Sequence, residues 1–252
     1  MEQQVDTKKQ SERQGQQNPI RKQPEQQEYI EKQLELSRKI NLNNTVEPAK
    51  IHTVAGVDLA YWKDGSAEYA VCCIVVLDYR THKSIESVSF MDKIKVPYIP
   101  GCLAFREIPL FGKALEKLEN TPEVFFFDGN GYLHPRHMGL ATHAGILFDV
   151  ASVGIAKSYY KIGDTDFIMP EQEDGAFTDI RVGGEIYGRA LRTHAKVKPV
   201  FISAGNKVDL DTAVLMAMEL TEKESHIPLP TRLADLMTHE ERRKYMDARN
   251  VL

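Results

Sequence analysis

The apolar and polar positions divide the chain into three stretches of different character. Residues 1–27 are rich in Gln, Lys, Glu and Ser and carry almost no large apolar side chains. Such a tail buries too little surface to offset its ordering entropy and is expected to be disordered. Residues 28–252 are expected to form a single domain. They open with a helix over Glu28–Leu42, carried by Tyr29, Ile30, Leu34, Leu36 and Ile40, with only fair amphipathic spacing. Next come three runs that read as strands, Thr53–Tyr61, then Tyr69–Tyr79 and Ser84–Ile94, the last two rich in β-branched residues. The first two are separated by a turn at Lys63-Asp64-Gly65 and the last two by a short polar turn. Strands joined so closely predict an antiparallel meander. The period then changes. Leu103–Leu118 reads as a helix, Val124–Asp128 as a buried strand, His137–Phe148 as a helix and Ser152–Ala156 as a strand. Alternation of this kind predicts parallel strands between helices. A polar stretch, Gly163–Asp179, reads as a loop. Strands are expected at Ile180–Val182, Glu185–Arg192 and Pro199–Ser203. A helix follows at Val208–Leu220, then a loop at Ile227–Pro230 and a last helix from about Thr231.

A meander passing into β-α-β units gives an α/β class with a mixed central sheet flanked by helices. That is the pattern of an RNase H-like domain, and other α/β folds share it. The composition is ordinary for a globular protein: of 252 residues, 42% are hydrophobic and 27% charged. The net charge of −4 provides no global positive field, so phosphate would have to be bound by a local basic patch or through cations. Three cysteines, two of them adjacent at Cys72 and Cys73, make neither a disulfide framework nor a zinc site. They read as small buried hydrophobes in a reducing compartment. No run is long and apolar enough to span a membrane, and a cytoplasmic location is expected.

The chemistry is organised around the stretch from Val96 to Asp128, with Asp58 upstream of it and Lys157 downstream. Asp58 ends the apolar run Val54–Val57, and Asp128 closes Val124–Phe127 in the same way. A buried strand-end acid is costly unless it is paired or bound to a cation. Any one of them could merely cap a turn. With Glu107 on the intervening helix, the set suits Mg²⁺, which takes a few carboxylates together with water and phosphate. Lys157, just past Ser152–Ala156, could hold a phosphate or steer a nucleophile, or form a surface ion pair. His134 before Pro135 could carry a proton or donate to phosphate. Tyr98, stiffened between Pro97 and Pro100, reads as an aromatic wedge able to enter a base stack, or as a ring packed on its neighbours. Gly101, Gly129 and Gly131 would let main-chain groups approach an extruded base closely. Arg136, Lys161, Arg189 and Arg232 are candidate phosphate contacts.

Six segments together resemble the endonuclease V family, the deoxyinosine 3′ endonucleases. They are Ala55-Gly-Val-Asp58, Pro97-Tyr-Ile-Pro-Gly-Cys-Leu-Ala-Phe-Arg-Glu107, Phe127-Asp-Gly-Asn-Gly-Tyr-Leu-His-Pro-Arg136, Gly139-Leu-Ala-Thr-His-Ala-Gly145, Val153-Gly-Ile-Ala-Lys157 and Pro230-Thr-Arg-Leu-Ala-Asp235. They run in one order from about Gln33 to Asp235. The resemblance implies an RNase H-like fold and dependence on Mg²⁺, with Mn²⁺ as a substitute. It implies cleavage of the second phosphodiester bond 3′ to deoxyinosine in DNA, leaving 3′-hydroxyl and 5′-phosphate ends, with inosine in RNA as a further substrate, by a monomer. By the same resemblance Asp58 and Asp128 would be the principal metal ligands, with Glu107 and Asp235 as additional ones. Lys157 would act at the phosphate, His134 near the cleaved backbone, and Tyr98 as the strand-separating wedge. Pro100, Gly101, Leu103, Gly129, Asn130 and Gly131 would shape the base pocket. The sequence departs from many relatives at Asn206 (histidine elsewhere) and Leu229 (glutamate elsewhere), and Asp235 stands where relatives carry histidine or aspartate. The rival readings are a nucleic-acid-binding protein that does not cut and a structure-specific nuclease indifferent to inosine.

Overall fold

The computed structural model describes residues 24–250, so the polar tail expected over residues 1–27 lies mostly outside the described residues. Helix α1, Pro24–Ser37, includes the last four positions assigned to that tail and ends before Leu42. One eight-stranded mixed sheet organises the rest. Strands β1 (Thr53–Asp64), β2 (Ala67–Asp78) and β3 (Ser84–Lys93) form the antiparallel meander. Strands β4 (Val124–Asp128) and β5 (Ser152–Ala156) run parallel to β1. Strand β8 (Val200–Asn206) joins β5 antiparallel, and β7 (Glu185–Leu191) and β6 (Phe177–Val182) complete the far edge, giving the order β3-β2-β1-β4-β5-β8-β7-β6.

Helices cover both faces, and the strand period of two decides which residues meet which helix. On one face Val54, Phe126, Val153 and Ile155 pack beneath α4 (Leu210–Glu219) and the start of α5 (Leu229–Asn250). On the other, Ala55, Val57, Phe125 and Phe127 pack beneath α2 (Ala104–Leu115) and α3 (Leu140–Leu147). Phe111 of α2 meets Phe125, Phe127 and Phe148 in edge-on aromatic contacts.

Three expected boundaries move for local reasons. The third helix begins at Leu140 rather than His137, because His137 is left-handed at φ 57 and Gly139 is extended. Strand β6 takes in Phe177–Asp179 from the expected loop, since these residues pair with Arg189–Leu191 of β7. Helix α5 starts at Leu229, with Pro230 in its first turn, where a missing N–H leaves no helical bond unmade.

Candidate active site

Val57 pairs with Phe127 across the parallel strands β1 and β4, so the next residues, Asp58 and Asp128, stand side by side at the carboxyl end of the sheet. Both share the parity of Val54 and Phe126 and therefore lie on the α5 face. Gly56 lets that helix come down: a Cβ there would stand 1.8 Å from the Pro230 carbonyl oxygen. Asp235 follows one helical turn later. One carboxylate oxygen from each of Asp58, Asp128 and Asp235 lies within 4.8 Å of the others. Lys157, just past β5, places its Nζ 2.6 Å from Asp128 Oδ2 and 3.3 Å from Asp235 Oδ1.

This crowding changes the acids. Burial, and then the neighbouring charge of Asp128, raises the Asp58 carboxyl to about 7. Burial also raises Asp128, against the hydrogen bond and charge of Lys157. Lys157 itself is raised: burial opposes its charge, but the hydrogen bond to Asp128 and the surrounding carboxylates outweigh it. Glu107 is fully enclosed, and burial raises it to about 8. It rides on α2 and stands outside the 4.8 Å cluster of the three aspartates, yet close enough that the charges of Asp58 and Asp128 add to its shift. Its Oε1 accepts a 2.7 Å hydrogen bond from the Tyr61 hydroxyl, while its Oε2 is buried without a partner. Hard oxygen donors converging in a half-buried site, with Asp58 and Asp128 destabilised in their charged forms, fit a divalent cation, which would relieve the mutual repulsion.

Beside the acids lies a pocket of about 160 Å³. Its walls include Asp128, Gly129 and Asn130 from the turn after β4, Tyr98, Gly101 and Leu103 from the proline-braced loop, and His134, Met138, Leu140 and Tyr160. Ligand sites in open α/β sheets gather at this carboxyl edge. Tyr98 is 64% exposed at the rim, free to meet a partner rather than packed on its neighbours.

Comparison with known proteins agrees with this geometry. A family profile describing endonuclease V matches residues 34–236. Endonuclease V of Bacillus thuringiensis subsp. konkukian is 52% identical over 221 residues, spanning 88% of this chain and 94% of the relative. The chain belongs to the endonuclease V family. It is thus a nuclease acting on phosphodiester bonds, with an RNase H-like fold. The crystal structure of the Bacillus subtilis family member matches at a TM-score of 0.86 and 52% identity, covering 88% of this chain and 94% of that one. Endonuclease V of Ciona intestinalis, crystallised with a 24mer DNA containing an inosine followed by a ribo-adenosine, matches at a TM-score of 0.75 and 31% identity. That match covers 87% of this chain and 98% of the other.

Within this family frame, several candidate residues fall elsewhere than sequence reasoning set them. Pro100 is exposed and does not line the pocket. Gly131 packs on β8, its N–H donating to Ser203 Oγ, where a Cβ would meet the Ala204 carbonyl oxygen at 2.3 Å. His134 is a neutral brace. Its Nδ1 lies 3.2 and 3.3 Å from the N–H groups of Arg136 and Met138, so the proton sits on Nε2, 3.1 Å from the Gly101 carbonyl oxygen. Burial lowers its pKa to about 3. Arg136 donates to Gln33 and to Gly101 instead of standing open to phosphate. Arg189 is held by Asp179 and Asp211, and Lys161 by Asp166. Asn206 joins α3 to the segment after α1, through Gly145 and Asn41, and Leu229 is core. Sequence reasoning passed over Tyr61, Tyr160, Thr238 and Gln33. Thr238, whose hydroxyl lies 3.4 Å from Asp58 Oδ2, sits one helical turn past the Pro230–Asp235 motif and carries no signal of its own.

Proposed function

We propose that the chain is a metal-dependent endonuclease in the repair of deaminated purines. It hydrolyses the second phosphodiester bond 3′ to deoxyinosine, and inosine in RNA, leaving 3′-hydroxyl and 5′-phosphate ends. The observation that carries this reading is the double membership of Asp128, which belongs both to the aspartate cluster and to the pocket wall. A base lodged in the pocket therefore brings its own backbone to the acids. The inosine-containing DNA bound by the Ciona relative supports the same substrate class.

Asp58, Asp128 and Asp235 would hold Mg²⁺ or Mn²⁺, with Glu107, whose buried Oε2 has no partner, as an additional ligand. When bound, the cation offsets phosphate charge, polarises the phosphodiester and lowers the pKa of an attacking water. Lys157, already beside Asp128, orients the incoming phosphate as a fixed point charge. Tyr98 enters the base stack, and the extruded base turns into the pocket behind it. Hypoxanthine offers an N1–H donor and an O6 acceptor where adenine offers the reverse, so groups that pair with one edge leave the other unpaired.

The test is a nicking assay with Mg²⁺, Mn²⁺ or chelator, on end-labelled single- and double-stranded DNA and RNA with one inosine each. A single metal-dependent cut one nucleotide beyond the inosine is expected. Cutting indifferent to inosine, or binding with no cut, would overturn the reading.

A further inference from the structure

Gln33 is a polar residue on a helix remote in sequence from every motif, yet it is 1% exposed. Its Nε2 donates to the carbonyl of Gly101 at 3.1 Å and to that of Met138 at 3.3 Å. Its Oε1 accepts from Arg136 Nε at 2.6 Å, and Arg136 Nη2 donates in turn to the same Gly101 carbonyl at 2.6 Å. Gly101 and Met138 stand on different walls of the pocket. Gly101 holds a left-handed φ of 73, so the loop that carries Tyr98 has a defined backbone turn to be fixed.

From this juxtaposition we infer that Gln33 is a positioning residue, clamping the Tyr98–Gly101 loop to the His134–Met138 segment and so setting the width of the pocket. A buried amide that satisfies two carbonyls and one guanidinium fixes three chain segments at once, and losing it leaves buried polar groups unpaired. The neutral imidazole of His134 donates to the same Gly101 oxygen, which makes that carbonyl the node of the clamp. Residue 33 lies one position outside the stretch matched by the family profile. The inference rests on the reading of the pocket as a base site, and it deepens that reading by assigning selectivity to α1.

The experiment compares wild type with Gln33→Met, which removes all three contacts, and with Gln33→Glu, which keeps only the acceptor for Arg136. Tyr29→Ala is the control, because it removes the α1 ring stacked on Phe105 at 4.2 Å without touching the clamp. Binding to inosine and adenine strands, the cleavage rate at saturation, and amide exchange at Cys102 and Met138 are measured. Both Gln33 variants are expected to bind the inosine strand about tenfold more weakly, the size of one lost buried hydrogen-bond set. The saturated rate should change little, inosine preference should narrow, and both amides should exchange faster. Tyr29→Ala should lower thermal stability and leave preference intact. Unchanged exchange and preference in a folded Gln33→Met would overturn the proposal, as would a Tyr29→Ala variant that reproduces the whole effect. A wild-type protein with no preference for inosine would overturn the base-site reading and the selectivity role with it. Exchange at the two amides would still report on the clamp.

Discussion

Gly56→Ala adds a single methyl group at the point where α5 touches the sheet. The new Cβ would stand 1.8 Å from the Pro230 carbonyl oxygen, 2.1 Å from its carbon and 2.8 Å from its Cα. All three are backbone atoms, so no side-chain rotation relieves the clash. To pass from 1.8 Å to ordinary contact at 3.4 Å, helix and strand must separate by about 1.6 Å. Overpacking a core by a methylene costs about 1–3 kcal/mol where side chains can yield, and rigid backbone puts this case at the upper end, about 3 kcal/mol. The shift has a second consequence. Asp235 rides on the displaced helix, while Asp58 and Asp128 stay on the sheet. A separation of that size is large against the 4.8 Å within which the three carboxylates converge. Urea denaturation would read the stability loss, and Mn²⁺ titration by paramagnetic resonance would read the loosened site independently of cleavage. Gly65→Asn is the control, since Gly65 is left-handed at φ 58 with nothing within 4 Å of a Cβ, and asparagine tolerates that conformation. Stability within about 0.5 kcal/mol of wild type, the range of an inert surface change, together with unaltered Mn²⁺ affinity would refute the account of how Asp235 is delivered.

Asp128→Asn should abolish nicking and weaken Mn²⁺ binding while inosine-strand binding persists, because it neutralises the carboxylate proposed to hold the cation, the one that faces Lys157 at 2.6 Å; full cleavage in a single-turnover assay would contradict the assignment. Tyr98→Ala should reduce affinity for inosine strands by about tenfold, within the range of one lost base–aromatic stack; melting temperature should not move, since the ring is 64% exposed. His143 supplies a pH test. It is 2% exposed, its Nδ1 has no partner, and burial lowers its pKa from 6.5 to about 4. The unfolded chain takes up the proton first as pH falls, so the contribution is complete above 6.5 and is lost progressively towards 4. It amounts to about 3 kcal/mol at most. Asp58 and Glu107, whose folded pKa values are raised from 3.8 to about 7 and from 4.5 to about 8, act in the opposite direction across the same window and beyond it. The measured quantity is therefore the difference in urea stability between wild type and His143→Leu at pH 7 and pH 4.5, and an identical slope in both would reject the argument.

Asp58 and Asp128 were legible in the sequence because an acid closing an apolar strand is a local pattern with a local cost. Their convergence was not: it depends on the parallel register that aligns Val57 with Phe127, and on a glycine that admits α5. Asp235 was reachable only by resemblance, since one helix turn of Thr-Arg-Leu-Ala-Asp says nothing about which strand lies beneath it. The same limit explains the residues that moved. Glu107 sits within a helix that reads clearly from its apolar spacing, but spacing cannot say which face of the sheet the helix will cover. That face sets how Glu107 approaches the aspartates, whose charges reach it from the sheet. His134 reads as a proton carrier so long as its neighbours are unknown; two backbone N–H groups on one nitrogen and a carbonyl near the other leave it neutral and engaged. Gln33 marks the far end of the scale. Its partners are 68 and 105 residues away, and a glutamine on a moderately amphipathic helix looks like any solvated position. Local pattern records what a residue would cost if buried, whereas what it does once buried is set by the segments that topology brings to it. That is why the acids were found from the chain and the clamp around the pocket required the fold.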